Sequence, residues 1–296
     1  MPFYFDLTIP DRIEKYVGVP KNFLNYLLYH NVCPEYRDQI ESSRSICDQA
    51  CQEFADIVRI QPLLPGNFNT ACSEIFGGQY HGLHNAASEA WMSKQDKEQW
   101  TIGVSPEKAR KIFKLGFAAC ATDAQMACYN IQAKENMLRT SCQMEVHLEI
   151  TDMVLGRSTP ETNALYQHET WSGELILGKL FASSWNHVAT QEEDLAPGVE
   201  QLNPKEGTAF EFWIEDRVID KLHVGMKIQA TIHQLSFGIY HIDNVHAVRC
   251  SFYDILTNEM MLGWKPVEKE WLPPRSQADP GAQDGLEIGE SAENGE

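Results

Sequence analysis

His81 and His84 stand three residues apart, a short way after Cys72. Zinc takes cysteine and histidine, and two imidazoles at that spacing can share one ion. No fourth ligand stands nearby and the segment is rich in glycine, so a solvated loop is the competing reading; no resident metal or cofactor is expected. Cys47 and Cys51 lie one helical turn apart, but both belong to an apolar stripe, where a free thiol packs as a small hydrophobe. Lys108, Arg110, Lys111 and Lys114 offer a different chemistry, with only Glu107 against them. On a helix, Lys108 and Lys111 are i, i+3 neighbours and Arg110 and Lys114 are i, i+4 neighbours. Such a face suits a phosphate or an acidic partner; the competing reading is an ordinary solvated surface. Trp264 and Trp271, in GWKPVEKEWLPP, are candidate anchors for a partner, because Trp is enriched at interface hot spots. There is no P-loop, GxGxxG, HExxH, GxSxG or CxxC, so a protein-binding subunit is expected rather than an enzyme.

The elements that must position these residues are helices first. Residues 20–31 (PKNFLNYLLYHN) predict a short helix with Pro20 in its first turn and Phe23, Leu24, Leu27 and Leu28 as its buried stripe. A second helix starts at Cys33-Pro34. Its apolar face is Tyr36, Ile40, Ser43, Cys47, Ala50, Cys51, Phe54 and Ile57, and Pro62 and Pro65 end it. A third runs from Asn67 to Phe76 and stops at Gly77-Gly78. Residues 77–100 read as a loop or short helices. Ser105-Pro106 opens a fourth helix, to about Ala121, with Ser as N-cap and Pro as the first helical residue. A fifth restarts at Thr122-Asp123 and reaches about Met137.

After Arg139 the period becomes two. Cys142, Met144, Val146, Leu148 and Ile150 alternate with polar residues as in a half-buried strand. Residues 171–184, 209–215, 226–233 and 239–253 read as four more strands, the third of these alternating apolar positions with Lys227, Gln229, Thr231 and His233. Short turns between long alternating strands indicate an antiparallel sheet. The expected fold class is α+β: a helical region over 1–138, then a mainly antiparallel β region over 139–272 packed on it or continuous with it as one domain, then an acidic disordered tail over 273–296.

With 296 residues, 43% of them hydrophobic, the chain can build a sizeable core. No stretch approaches the roughly 20 apolar residues of a membrane span, and the start, MPFYFDLTIPDRIEKY, lacks the pattern of a signal peptide, so no membrane is expected. Eight scattered cysteines suggest a reducing compartment. The net charge is −18 and uneven: −3 over residues 1–138, −9 over 139–275, and six acidic residues with no basic one over the last 21. Such a balance disfavours a grip on bare nucleic acid, where Lys and Arg contacts to phosphate dominate affinity.

FLNYLLYHNVCPEYRDQIESSRSICDQA (23–50), followed by LPGNFNTACSEIFGG (64–78), resembles a fungal family, the Argonaute-binding subunit of the Argonaute siRNA chaperone complex. SPEKARKIFKLGFAACATDAQ (105–125) and FGIYHIDNVHAVRCSFYDILTNEMMLGWKP (237–266) are similar to the same family. The resemblance implies a non-catalytic protein of nucleus and cytoplasm that binds Argonaute beside a second Argonaute-binding subunit. It implies contact with the siRNA duplex only through Argonaute, restraint of slicing and of passenger-strand release, and heterochromatin assembly downstream. It carries over no catalytic or metal residue. A basic N-terminal extension is associated with the family; this chain starts at MPFYFDL, so what such an extension supplies is not carried over. Two other readings stay open: a hydrolase whose site is dispersed in sequence, and direct binding of small RNA through the Lys108–Lys114 face.

Overall fold

The computed structural model describes residues 10–86, 103–156, 175–185 and 204–254. Helix α1 (Pro10–Tyr29) is longer than its sequence signal, because Pro20 lies inside it rather than at its start. Proline removes one backbone donor there, but Pro20 faces solvent, where water can replace that donor. A 3-10 turn (Pro34–Tyr36), entered through Cys33 in the left-handed region, leads into α2 (Arg37–Ile60). The predicted face of α2 is at least half-buried from Ile40 onward, at Cys47, Ala50, Cys51, Phe54 and Ile57, while Tyr36 and Ser43 are exposed. Helix α3 (Asn67–Phe76) has the predicted bounds and ends at Gly77, whose φ of 80° suits a residue without Cβ. Then come a short α4 (Leu83–Ala86), α5 (Pro106–Cys120) capped by Ser105, and α6 (Asp123–Lys134), whose Thr122 and Gln125 form a reciprocal capping box.

Among the described residues five strands follow: β1 (Thr140–Val154), β2 (Leu177–Ser184), β3 (Ala209–Glu215), β4 (Lys227–Leu235) and β5 (Tyr240–Arg249), with a one-turn helix α7 (Asp216–Ile219) after β3. They close into a barrel in the order β1-β2-β3-β5-β4. Every pairing is antiparallel except β3 with β5, which is parallel and held by one residue pair, Phe212 with Tyr240. A small barrel closed in this order has the Greek-key arrangement of OB-type folds. The period-two pattern sends Val146, Leu148, Leu180, Phe212, Ile228 and Ile232 inward, and these apolar side chains fill the lumen. A second core lies outside the barrel, where α3 and α5 lay Phe68, Ile112, Phe113 and Phe117 over Leu177 and Trp213.

The weak β3–β5 seam has its own plug. Asn69 of α3 is fully buried; its amide nitrogen donates to the Trp213 carbonyl at 3.1 Å and the Pro65 carbonyl at 2.9 Å, and its oxygen accepts from the Ile242 amide at 3.1 Å. A side chain thus supplies bonds between two strands that barely pair. Nearby, the Glu215 carboxylate accepts from the Phe68 amide at 2.8 Å, capping α3, whose own N-cap residue Gly66 has no side chain to do so. Burial pushes the Glu215 carboxyl up, against the lowering effect of the Phe68 and other amide donors. Asn69→Ala orphans two strand groups inside the protein, at about 1–3 kcal/mol each. The expected result is a lower midpoint in urea with an unchanged slope, measured by circular dichroism.

The predicted strands 171–184 and 226–233 are met by β2 and β4 with shifted ends; residues 171–174, the acidic segment over 186–203, Trp264, Trp271 and the tail lie outside the described residues. One expectation about faces is corrected. His233 and Lys227, read as the wet side of β4, are both buried. The outer face of a strand is wet only where nothing covers it: α3 lies over the His233 end through Ser73 and Asp243, while Lys227 is covered by the Trp185 ring and donates to the Gly225 and Ser251 carbonyls.

Candidate docking surface

Helices α1 and α2 form a hairpin whose root, not its tip, is bound to the barrel. Near the end of α2, Glu53 is buried and accepts from the Ser251 amide at 2.7 Å, the Ser251 hydroxyl at 2.6 Å and Gln49 at 2.7 Å. Asp56 pairs with His223 at 3.0 Å, and Ile57 and Ile60 join the barrel core. The helices are tied across by Lys21 and Asp48, with Leu24, Leu27 and Leu28 half-buried. Phe23, expected in that buried stripe, is instead 60% exposed. It belongs to an outer row with Val19, Tyr26 and Tyr29, the last 86% exposed, and Val32 and Tyr36 continue the apolar surface around the turn. His30 stacks on Tyr26 at 4.3 Å between ring centroids and meets Tyr29 edge-on at 5.0 Å. Positions 19, 23 and 26 follow i, i+4, i+7, the spacing by which a helix presents anchors to a partner. Over residues 10–50 the hairpin carries six acidic and five basic side chains. It is therefore a nearly neutral aromatic ridge, unlike the basic groove that tracks a nucleic-acid strand.

Lys108, Arg110, Lys111 and Lys114 are exposed on α5, opposite the buried Ala109, Ile112, Phe113 and Phe117. Beside it lies a cleft of about 290 Å³ lined by Glu74, His81, Pro106 and Arg110. Two of its polar groups are committed to the turn after α3: His81 Nδ1 donates to the Glu74 carbonyl at 2.6 Å, and the Glu74 carboxylate accepts from the Gly82 amide at 2.8 Å. Trp213, an aromatic on the outer face of the barrel, is packed against Phe68 and Phe117 at 5.7 and 6.2 Å rather than open for a base.

The candidate set Cys72, His81 and His84 is not brought together. Cys72 is fully buried in the outer core, where burial holds its thiol well above the ordinary range, and the His81 ring turns to the Glu74 carbonyl. Cys47 and Cys51 are half-buried free thiols on α2, in the packed face the stripe predicted. Among the described residues, the one group of three whose ligand atoms lie within 4.8 Å of one another is His233, His241 and Asp243. Its faint signal in the sequence is a pair of histidines on adjacent alternating strands, each at a position where the pattern calls for a polar residue.

The family model described as the Argonaute siRNA chaperone (ARC) complex subunit Arb1 matches residues 1–267 of this chain. Argonaute-binding protein 1 of Schizosaccharomyces pombe is 31% identical over 77 residues, which cover 26% of this chain and 19% of that protein. The chain therefore spans about a fifth of the length of the curated relative it matches. No solved structure matches it.

Proposed function

The chain belongs to the family of Argonaute siRNA chaperone complex subunits, and on that premise we propose that it is a non-catalytic subunit that binds Argonaute through the aromatic ridge of the α1–α2 hairpin. The observation that carries this is a root anchored by Glu53, Ile57 and Ile60 beneath a row of large apolar side chains left in solvent. Exposed Phe and Tyr at helical spacing are costly to keep in water unless a partner covers them, and contiguous patches of this kind mark interaction surfaces. The name of the yeast relative, Argonaute-binding protein 1, supports Argonaute as that partner. The siRNA duplex is then reached through Argonaute, with a second Argonaute-binding subunit alongside, in nucleus and cytoplasm. The excess of acid in this chain favours docking beside a basic RNA-holding surface, where charge complementarity speeds and directs encounter. Occupying that neighbourhood is how the subunit restrains slicing and release of the passenger strand.

Capture of the cognate Argonaute by the purified chain at low salt, with the second subunit supplied, tests the reading; no capture rejects it. Direct RNA binding is the second reading, favoured by the four exposed cations of α5. The charge-reversed variant Lys108→Glu, Arg110→Glu, Lys111→Glu, Lys114→Glu separates the two. It is expected to fold as the parent does, since solvated positions change stability by about 0.5 kcal/mol or less each, and to retain Argonaute capture. Naked duplex RNA should bind neither parent nor variant in a gel-shift titration at low salt. Binding by the parent that the variant loses would transfer RNA contact to this chain.

A further inference from the structure

We propose that His233, His241 and Asp243 form a metal site, a structural centre for one zinc-class divalent cation between the outer face of the barrel and α3. His233 of β4 and His241 of β5 are direct cross-strand partners. Asp243 is two residues further along β5, so the period of the strand returns it to the same face. All three are buried, His241 with no exposure at all. Both nitrogens of both imidazoles lack a hydrogen-bond partner. An orphaned buried polar atom costs about 1–3 kcal/mol, and four such atoms side by side call for a ligand.

The spacing fits a shared ion better than a direct bond. His233 Nε2 and Asp243 Oδ2 are 3.7 Å apart, too far for a hydrogen bond. Two ligands each about 2.1 Å from a tetrahedral ion stand roughly 3.4 Å from one another. The imidazole rings meet nearly edge to face, centroids 5.2 Å apart, so neither stacks flat against the other and blocks the space between them. Burial keeps both imidazoles in the neutral form that ligates: it lowers His241 to about 3, helped by His233, and lowers His233 against the opposing pull of Asp243.

Groups behind the ligands already hold the carboxylate. Ser73 of α3 donates its hydroxyl to Asp243 Oδ1 at 2.5 Å, and the Gln79 amide donates to both carboxylate oxygens at 3.0 Å. The Tyr80 amide in turn donates to the Ser73 hydroxyl at 3.0 Å. Gly78 has no Cβ, which leaves the carboxylate its room. Fixing a ligand from behind in this way is what metal centres require. Two imidazoles and one carboxylate without thiolate suit zinc or a neighbouring first-row ion. Three protein ligands leave the fourth position to a water, and under the cover of α3 the ion would staple β4 and β5 to the turn that follows α3.

The test uses the full chain. Metal analysis of protein purified without chelator should find one zinc-class ion per chain, and EDTA should lower the thermal midpoint, with recovery on adding Zn²⁺. Protein loaded with Co²⁺ should show visible ligand-field bands without the near-ultraviolet charge transfer of a thiolate ligand. Asp243→Asn and His233→Asn should remove the ion, and Ser73→Ala, which acts through Asp243, should weaken Zn²⁺ about 10- to 100-fold while circular dichroism stays native. Parent protein that holds no first-row ion and whose midpoint does not respond to Zn²⁺ overturns the proposal, whatever the variants do. Thiolate charge transfer, or full Zn²⁺ retention by a folded His233→Asn protein, overturns it too by moving the ion to the cysteines.

Discussion

Phe68→Ala should lower the stability of the chain by about 3–5 kcal/mol, the range for deleting a fully buried aromatic ring. Phe68 has no exposed surface. Its ring stacks on Phe113 at 6.2 Å and tilts against Trp213 at 5.7 Å, so one side chain joins α3, α5 and the outer wall of the barrel. Removing it leaves a void between a helix and a sheet, each held by its own hydrogen bonds, so neither can close the gap cheaply. The backbone amide of Phe68 still donates to Glu215 in the variant, so the helix cap survives and the loss reports packing alone. For a folded unit of this size the thermal midpoint should fall by roughly 6–20 °C, at about 2–4 °C per kcal/mol. Phe23→Ala is the matched control. It deletes the same ring from an exposed position and should move the midpoint hardly at all. Equal losses from the two substitutions would mean that the hairpin ridge is core.

That contrast between two phenylalanines marks what could be read from the sequence. Local signals were legible wherever a local cause acts. Gly77 and Ser105 set helix ends through their own backbone and side-chain chemistry, and α3 and α5 lie within a residue or so of their predicted bounds. The alternation of β3 returned its bounds without change. What failed depends on residues far away. Periodicity says that Phe23, Leu27 and Tyr26 lie near one another on a helix, but not whether another element covers them. It assigned Phe23 to the inside because hydrophobic residues are usually there. The buried polar groups show the same limit. Glu53 is matched by Ser251, Ser73 by Asp243 and Asn69 by Ile242, across separations of 198, 170 and 173 residues. Closure of the sheet into a barrel was invisible for a similar reason: the alternating strands predicted antiparallel neighbours, and the single parallel contact of β3 with β5 leaves no mark in either strand.

The barrel and hairpin divide the work between them. The lumen of the barrel is filled with apolar side chains, and its outer wall is partly covered by α3 and α5, so the β half serves as a platform. Glu53 and its neighbours on α2 tie the hairpin to that platform. A ridge that is already helical before it docks loses less conformational freedom on binding, and that preserves affinity for the contact itself.

Replacing the ridge should therefore abolish capture while leaving the fold alone. The triple variant Phe23→Ala, Tyr26→Ala, Tyr29→Ala removes three of the large exposed apolar side chains of α1. At an interface, aromatic anchors that become buried are worth about 2 kcal/mol or more each, though such losses do not simply add. A combined loss of about 3–4 kcal/mol corresponds to roughly 140- to 700-fold weaker binding at 1.4 kcal/mol per decade. Titration of cognate Argonaute against immobilised parent and variant measures it, with thermal unfolding as the check that the hairpin still folds. The substitutions improve helix propensity, since Ala replaces aromatic residues at exposed positions of α1, so loss of binding cannot be laid to a broken helix. The charge-reversed α5 variant should bind as the parent does, because its cations sit on a different element. If the triple variant binds unchanged while the α5 variant fails, the dock is α5 and the ridge awaits another partner. If neither parent nor variant binds, Argonaute is not the partner of this chain. Retention by α5 together with loss by the ridge is the pattern that assigns the arm to Argonaute.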